Sequence, residues 1–233
     1  MAGGFSGVRP AAFAFLRELA SNQTKAWFDA HKPVYERELR QPLGLLVGAL
    51  AGEFDRTGIP LTGDAKRSLF RINRDVRFSK DKSPYKTHAG LVWFRPGSGK
   101  DGAGIFYLHL ADDGCFAAAA FYLPDKDVLE SIREGIRVRP EQFLAMRADL
   151  AAAGLELDQG GGLTRMPRGF EDLAGTPIAP FLKLRSFIVR RPLTKRQLED
   201  PALIGTLAAF ASDALPLLRF GWRAVDEVSG VRL

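Results

Sequence analysis

The feature that most constrains this chain is a change of hydrophobic period. In "SLFRINRDVRF" (68–78), Phe70, Ile72, Val76 and Phe78 share one parity, and Arg71, Asn73, Asp75 and Arg77 share the other. Alternation of this kind reads as a half-buried strand with one polar face. Arg74 falls on the apolar side, which a bulge at Asn73-Arg74, a turn between two shorter strands, or an arginine buried with a carboxylate would each explain. Further strands are expected over Thr87–Arg95, 104–110 ("GIFYLHL") and 115–122 ("CFAAAAFY"), separated by "PGSGKDGAG" and the tight-turn sequence "ADDG".

On both sides of this block the period is helical. Pro10 sits at a first-turn position ahead of Phe13, Leu16 and Leu19. The stretch "TKAWFDAHKPVYERELRQPLGLLVGALAGEF" continues in helical register, with breaks expected near Pro33 and Pro42, and carries a stripe of Leu43, Leu46, Val47, Leu50 and Phe54. After Pro124, "DKDVLESIREGIR" (N-cap Asp125) and "RPEQFLAMRADLAAAG" predict two helices. Residues 155–181 are irregular. "FLKLRSFIV" reads as a strand with Lys183, Arg185 and Phe187 on one face. A last helical region starts near Asp200 and breaks at Pro216. The order predicts an α+β fold, a central antiparallel meander flanked by N-terminal and C-terminal helices, as one domain over 1–233.

Several chemistries lose their support at once. The single cysteine, Cys115, makes neither an internal disulfide nor a multi-cysteine zinc site. His31, His88 and His109 form no metal-ligand pair of the H-x-x-x-H kind, so neither metal nor cofactor is expected. "GSGKD" fails as a phosphate loop, because Phe94 stands where a glycine is required and Asp101 where Ser or Thr is required. Ser79 and Lys82 make an S-x-x-K without either companion motif. No secretory leader is read at the N-terminus, and no apolar run of about 18–20 residues is read anywhere. The expected compartment is therefore the cytoplasm, without a membrane partner.

Charge placement is more informative. The net charge is +6, but residues 66–88 alone hold eight Lys/Arg against Asp75 and Asp81, and residues 183–196 hold six Lys/Arg with no acid. The rest of the chain is mildly acidic. Arg71, Asp75 and Arg77 on one strand face present two guanidinium forks around a carboxylate, a geometry that matches phosphate or carboxylate oxygens. Arg74, Lys82, Tyr85, Lys86 and His88 add polar groups nearby, with Tyr85 as a structural anchor. If the meander is in odd-sum register, Lys86, His88, Tyr107 and His109 share one sheet face, and Ala118 and Ala120 leave room above it for a ligand or a packed helix. The other use of these arginines is internal, with Asp75 and Asp81 pairing the surplus guanidiniums. Two acids cannot neutralise eight cations locally, and a partly buried surplus needs an external anion, water or distant acids.

The pattern Arg71-x-x-Arg74-Asp75-x-Arg77-Phe78 followed by Asp81-Lys82-x-x-Tyr85 resembles the signature of the domain of unknown function 2461 family. The resemblance extends from "FSGVRPAAFAFLRELA" to "LKLRSFIVRRPLT". It implies a bacterial type of protein of about this length, kept as one intact unit, and supplies no catalytic residues. Three partners are expected in descending order. They are a small phosphorylated or carboxylated ligand at the arginine-rich segment, an acidic protein meeting residues 183–196, and a nucleic acid stacking on Phe78, Tyr85 or Phe187.

Overall fold

Leu43, Leu46, Val47, Leu50 and Phe54 lie on one side of a helix and are buried, as their spacing requires. The computed structural model describes residues 4–77 and 80–229. Its helices are α1 (Pro10–Ser21), α2 (Lys25–Tyr35), α3 (Gln41–Thr57), α4 (Ala65–Ser68), α5 (Lys126–Val138), α6 (Pro140–Ala152), α7 (Ala179–Leu182), α8 (Lys195–Glu199) and α9 (Leu203–Ser229). Strands β1 (His88–Phe94), β2 (Ile105–Ala111), β3 (Cys115–Phe121) and β4 (Phe187–Leu193) form one sheet in the order β1-β2-β3-β4. The fold is α+β, an antiparallel meander flanked by N-terminal and C-terminal helices. The Leu123 amide donates to Ser186 Oγ at 2.8 Å, which puts the exit of β3 beside the entry of β4 and makes that pair antiparallel too.

Two proline effects differ from the sequence expectation. The helix is not broken at Pro33 or Pro42. Residues Glu36–Arg40 instead form a π-helical turn that joins α2 to α3, with the Gln41 amide bonded to the Glu36 carbonyl. Pro42 has no N–H to return to Glu38, and the chain absorbs that loss as a wider turn. Pro216 is likewise carried inside α9, which runs for 27 residues. By length and composition Leu203–Glu227 is apolar enough to cross a membrane, but half of its most apolar window is buried inside the protein. Leu207, Phe210, Ala211, Ala214 and Leu218 are core residues.

The expected strand over 68–78 is not a strand. Leu69 and Asn73 make single antiparallel bridges to Leu91 and Tyr85. The Arg74 amide donates to the Pro84 carbonyl at 2.8 Å, and Pro84 has no N–H with which to return the bond, so the ladder stops after one rung. The alternation survives, with Ile72 buried and Arg71, Asn73, Asp75 and Arg77 exposed. Phe78 and Ser79 lie outside the described residues. Lys183 and Arg185 also fall off their expected strand, which begins only at Phe187. The carbonyls of Leu182 and Leu184 accept from the Arg133 guanidinium instead, and that of Lys183 accepts from the Leu163 amide.

The chain forms two compact units. The first comprises 1–100, 107–117 and 192–209. In it the Trp93 indole donates to the Val47 carbonyl at 3.1 Å, tying β1 to α3. Glu38, on the π-turn, is buried with Arg37 Nε 2.6 Å and Arg9 Nη2 2.9 Å from its carboxylate. The second unit comprises 101–106, 118–191 and 210–233. There the Trp222 indole donates to the carbonyls of Ala103 and Gly104 at 3.1 Å. Gly104 has φ +79°, and a Cβ on it would lie 2.4 Å from that indole nitrogen, so only glycine fits. Arg139 closes α5 onto α9 through a two-pronged pair with Glu227 at 2.9 and 3.0 Å.

Candidate functional site

The basic segment 66–88 is sorted by its acids. Asp64 caps α4 and holds Arg67 at 2.5 Å. Asp75 accepts two bonds from the Arg77 guanidinium, at 2.7 and 3.0 Å, and one from the Arg77 amide. Those bonds hold its carboxyl well below the usual range. Asp81 accepts from the Ser83 amide and pairs with Arg74, and its carboxyl is lowered by the Ser83 bond first. Lys82 caps the Val76 carbonyl at 2.9 Å. Tyr85 is core: its ring stacks on Phe28 at 4.5 Å, and its amide donates to Gln23.

Arg71 and Lys86 are treated differently. Among the described residues Arg71 has no hydrogen bond or ion pair, and Lys86 meets no acid. The Lys86 ammonium lies 5.5 Å from the centre of the Phe70 ring. Burial, then the positive charges of Arg71, Arg74 and Lys100, push its affinity for a proton down. His88, the first residue of β1, feels the same field. Burial pushes its pKa down to about 4, helped by His109, Lys86 and Arg74. The structure thus brings Arg71, Arg74 and Lys86 close enough to act on one another, with His88 held neutral beside Lys86 and Arg74. It pairs Asp75 with Arg77, bonds the Lys82 ammonium to the Val76 carbonyl and buries the Tyr85 ring against Phe28.

The sheet face has the expected register. The rings of His88 and His109 are 4.6 Å apart, and the Tyr107 hydroxyl lies 3.3 Å from His109 Nδ1. Phe106, Leu108 and Leu110 on the opposite face are fully buried. A Cβ on Gly90 would stand 2.7 Å from the Tyr107 hydroxyl, so that glycine lets the phenol lie flat over β1. Burial raises the Tyr107 pKa to about 12. Phe116 stacks on His109 at 4.8 Å. Ala118 and Ala120 are buried, so the space imagined above them is filled.

Arg71 lines a cleft of about 860 Å³ that sequence reading did not find. One wall is the π-turn and the start of α3, carrying Tyr35, Arg40 and Leu45. The other is α4 and the residues after it, carrying Lys66, Phe70 and Arg71. The two walls approach closely because position 44 is glycine. A Cβ there would meet the Ala65 methyl at 3.3 Å. Glu36 also lines the cleft, with both carboxylate oxygens on Arg40 at 3.1 and 3.2 Å. Tyr35 is held by Phe15 and Phe28, and burial and then Glu36 push its phenol above the ordinary value, so it stays a neutral donor. The Lys66 ammonium, like the Arg71 guanidinium, has no hydrogen bond or ion pair among the described residues, although the Lys66 amide donates to Asp64 at 3.0 Å. One signal was legible: Leu45 lies off the buried stripe of α3 and is 43% exposed.

Other expectations are narrowed. Tyr85 and Phe187 are buried, which removes two of the three rings proposed for base stacking. Phe78, the third, lies outside the described residues. Among the described residues, no group of three His, Cys, Asp or Glu side chains is arranged to hold a metal ion. No curated protein and no solved structure matches the chain. A family model does match, over residues 11–220. With nine-tenths of its length inside that match, the chain belongs to the conserved hypothetical protein family DUF2461.

Proposed function

We propose that the protein binds a small phosphorylated or carboxylated compound in the cleft beside Arg71. One observation carries this reading. Asp64, Asp75 and Asp81 are each already bonded to an arginine, while the Arg71 guanidinium and the Lys66 ammonium line the same cleft with no hydrogen bond or ion pair among the described residues. Cations placed together without a counter-charge repel one another, and an anion relieves that repulsion. Arg71 supplies the fork that grips two oxygens, and Lys66 supplies a point charge. Lys86 and Arg74 extend the positive field behind them. The π-turn fits this role, since such turns recur where a helix wall is adapted to a site. The cleft volume lies within the range of small-molecule sites, about 300–1,000 Å³.

A thermal-shift screen tests the reading. The panel contains inorganic phosphate, nucleotides, sugar phosphates, carboxylates and short DNA and RNA, at two salt concentrations. The expected result is a salt-tolerant shift with small anions that disappears in Arg71→Ala. Shifts confined to DNA or RNA and lost at the higher salt would instead indicate nucleic-acid binding. No shift with any compound would reject the small-anion reading.

A further inference from the structure

The cleft is not uniformly polar, and this bears on what it holds. Leu45 is one of five strongly exposed large apolar side chains among the described residues, and the one of those five that lines this cleft. Phe70 and the ring of Tyr35 share the lining with it. Tyr35 is fixed from behind by Phe15 at 5.9 Å and Phe28 at 5.5 Å, so the apolar wall is rigid before any ligand arrives. Sugars and inorganic phosphate would leave this wall in water. Resting on the anion-binding reading above, we propose that the ligand is amphiphilic: one phosphate or carboxylate group carried on a short apolar body. The head lies on Arg71 and Lys66, and the body lies against Leu45, Phe70 and Tyr35.

The Glu36–Arg40 pair fits the same occupant. Its two charges cancel across 3.1 Å, so it adds no net positive charge at its end of the cleft. The uncompensated charge stays with Lys66 and Arg71, and a ligand with a single anionic end is matched better than one charged at both ends. Pre-organised walls keep the ordering cost of binding low.

Titration calorimetry with a series of n-alkyl phosphates, from methyl to hexyl, tests the proposal, with inorganic phosphate and ribose phosphate as polar references. Affinity is expected to rise about two- to fourfold for each methylene that reaches the wall. Leu45→Ser should flatten the series while inorganic phosphate still binds, and it should lower the melting temperature by a few degrees at most, because Leu45 is partly exposed. Arg71→Ala should remove binding of the whole series. Arg71-dependent binding that is flat in chain length, or strongest for ribose phosphate, overturns the amphiphile and keeps the anion site. Binding of no soluble anion rejects both. A vesicle arm, phosphatidylcholine with and without phosphatidylserine, separates a free compound from a lipid headgroup. Retention on the anionic vesicles without chain-length dependence in solution overturns a soluble ligand.

Discussion

The two basic segments carry the same net charge and use it in different ways. In 183–196, Arg190 pairs with Asp158 at 3.2 Å, and Lys195 pairs with Asp112 at 2.6 Å. Arg191 pairs with Asp213 at 3.0 Å, donates to the Ala153 carbonyl and lies 5.0 Å from the centre of the Phe210 ring. Lys183, Arg185 and Arg196 have no ion pair among the described residues, and the last two are exposed. In 66–88 the acids are local and already engaged, and Arg71, Lys66 and Lys86 remain uncompensated beside a cleft and a half-buried histidine. Net charge along the chain is therefore a poor guide to where an anion is wanted. What matters is which cations the fold leaves without an acid.

The sharpest way to break this comparison is a pair of alanine substitutions with opposite profiles. Arg71→Ala should leave the stability of the free protein within about 0.5 kcal/mol, because the residue is exposed and unpaired. It should abolish the ligand-induced stabilisation, about 2.7 kcal/mol at one hundred times the dissociation constant. Arg191→Ala should do the reverse. It removes a hydrogen-bonded ion pair and a ring contact, costing about 1–2 kcal/mol of stability, and leaves ligand stabilisation intact. Urea unfolding of both variants, with and without phosphate, reads the two quantities together. Equal losses of stability in the two would make the first segment structural as well.

The same contrast explains what the sequence could and could not disclose. The meander was legible because β1, β2 and β3 follow one another through a glycine-rich loop at 95–104 and a tight turn at 112–114, and a period of two places Phe106, Leu108 and Leu110 on one face without any long-range information. The strand expected at 68–78 has a real alternation, but it meets the chain only at two isolated bridges, and beyond the one at Asn73 the partner offers Pro84, which has no N–H to continue a ladder. The partners of Arg190, Arg191 and Lys195 lie 22 to 83 residues away, so no local charge count reveals them. The cleft was invisible for a related reason. It joins a π-turn created by proline to a segment some thirty residues later, and only the exposed Leu45 interrupts the helical stripe to betray it.

The pH response should sharpen the comparison next. An unfolded imidazole titrates near 6.5, whereas His88 in the fold is pushed down to about 4. Between those values the unfolded chain binds the extra proton, so stability is complete above about pH 6.5 and is lost as the pH falls toward 4. Below 4 this group adds no further loss. His88 is only half-buried, so after discounting for solvent the change is on the order of 1 kcal/mol. The difference in unfolding free energy between pH 7 and pH 5 should be smaller in His88→Gln than in the wild type by this amount. A bound anion should also raise the His88 pKa, seen as an upward shift of its imidazole titration by NMR, because it cancels the field of Lys86 and Arg74. An unmoved titration would detach His88 from the anion site.

The smallest effect is also the most discriminating. Asp81 holds Arg74, which stands behind Lys86 in the positive neighbourhood. Asp81 is exposed, so Asp81→Asn should change stability little. It removes one negative charge from the vicinity of Arg71 and Lys86, and affinity for phosphate should rise about two- to fivefold, more at low salt than at high salt. The corresponding change at Asp213, which partners Arg191, should leave phosphate affinity unchanged. If Asp81→Asn weakens binding instead, Asp81 acts by aiming Arg74 at the ligand rather than by opposing it with charge. Calorimetric titration of phosphate into the two variants at two salt concentrations separates these cases, since loss of aim lowers affinity at both salts whereas gain of charge raises it chiefly at the lower one.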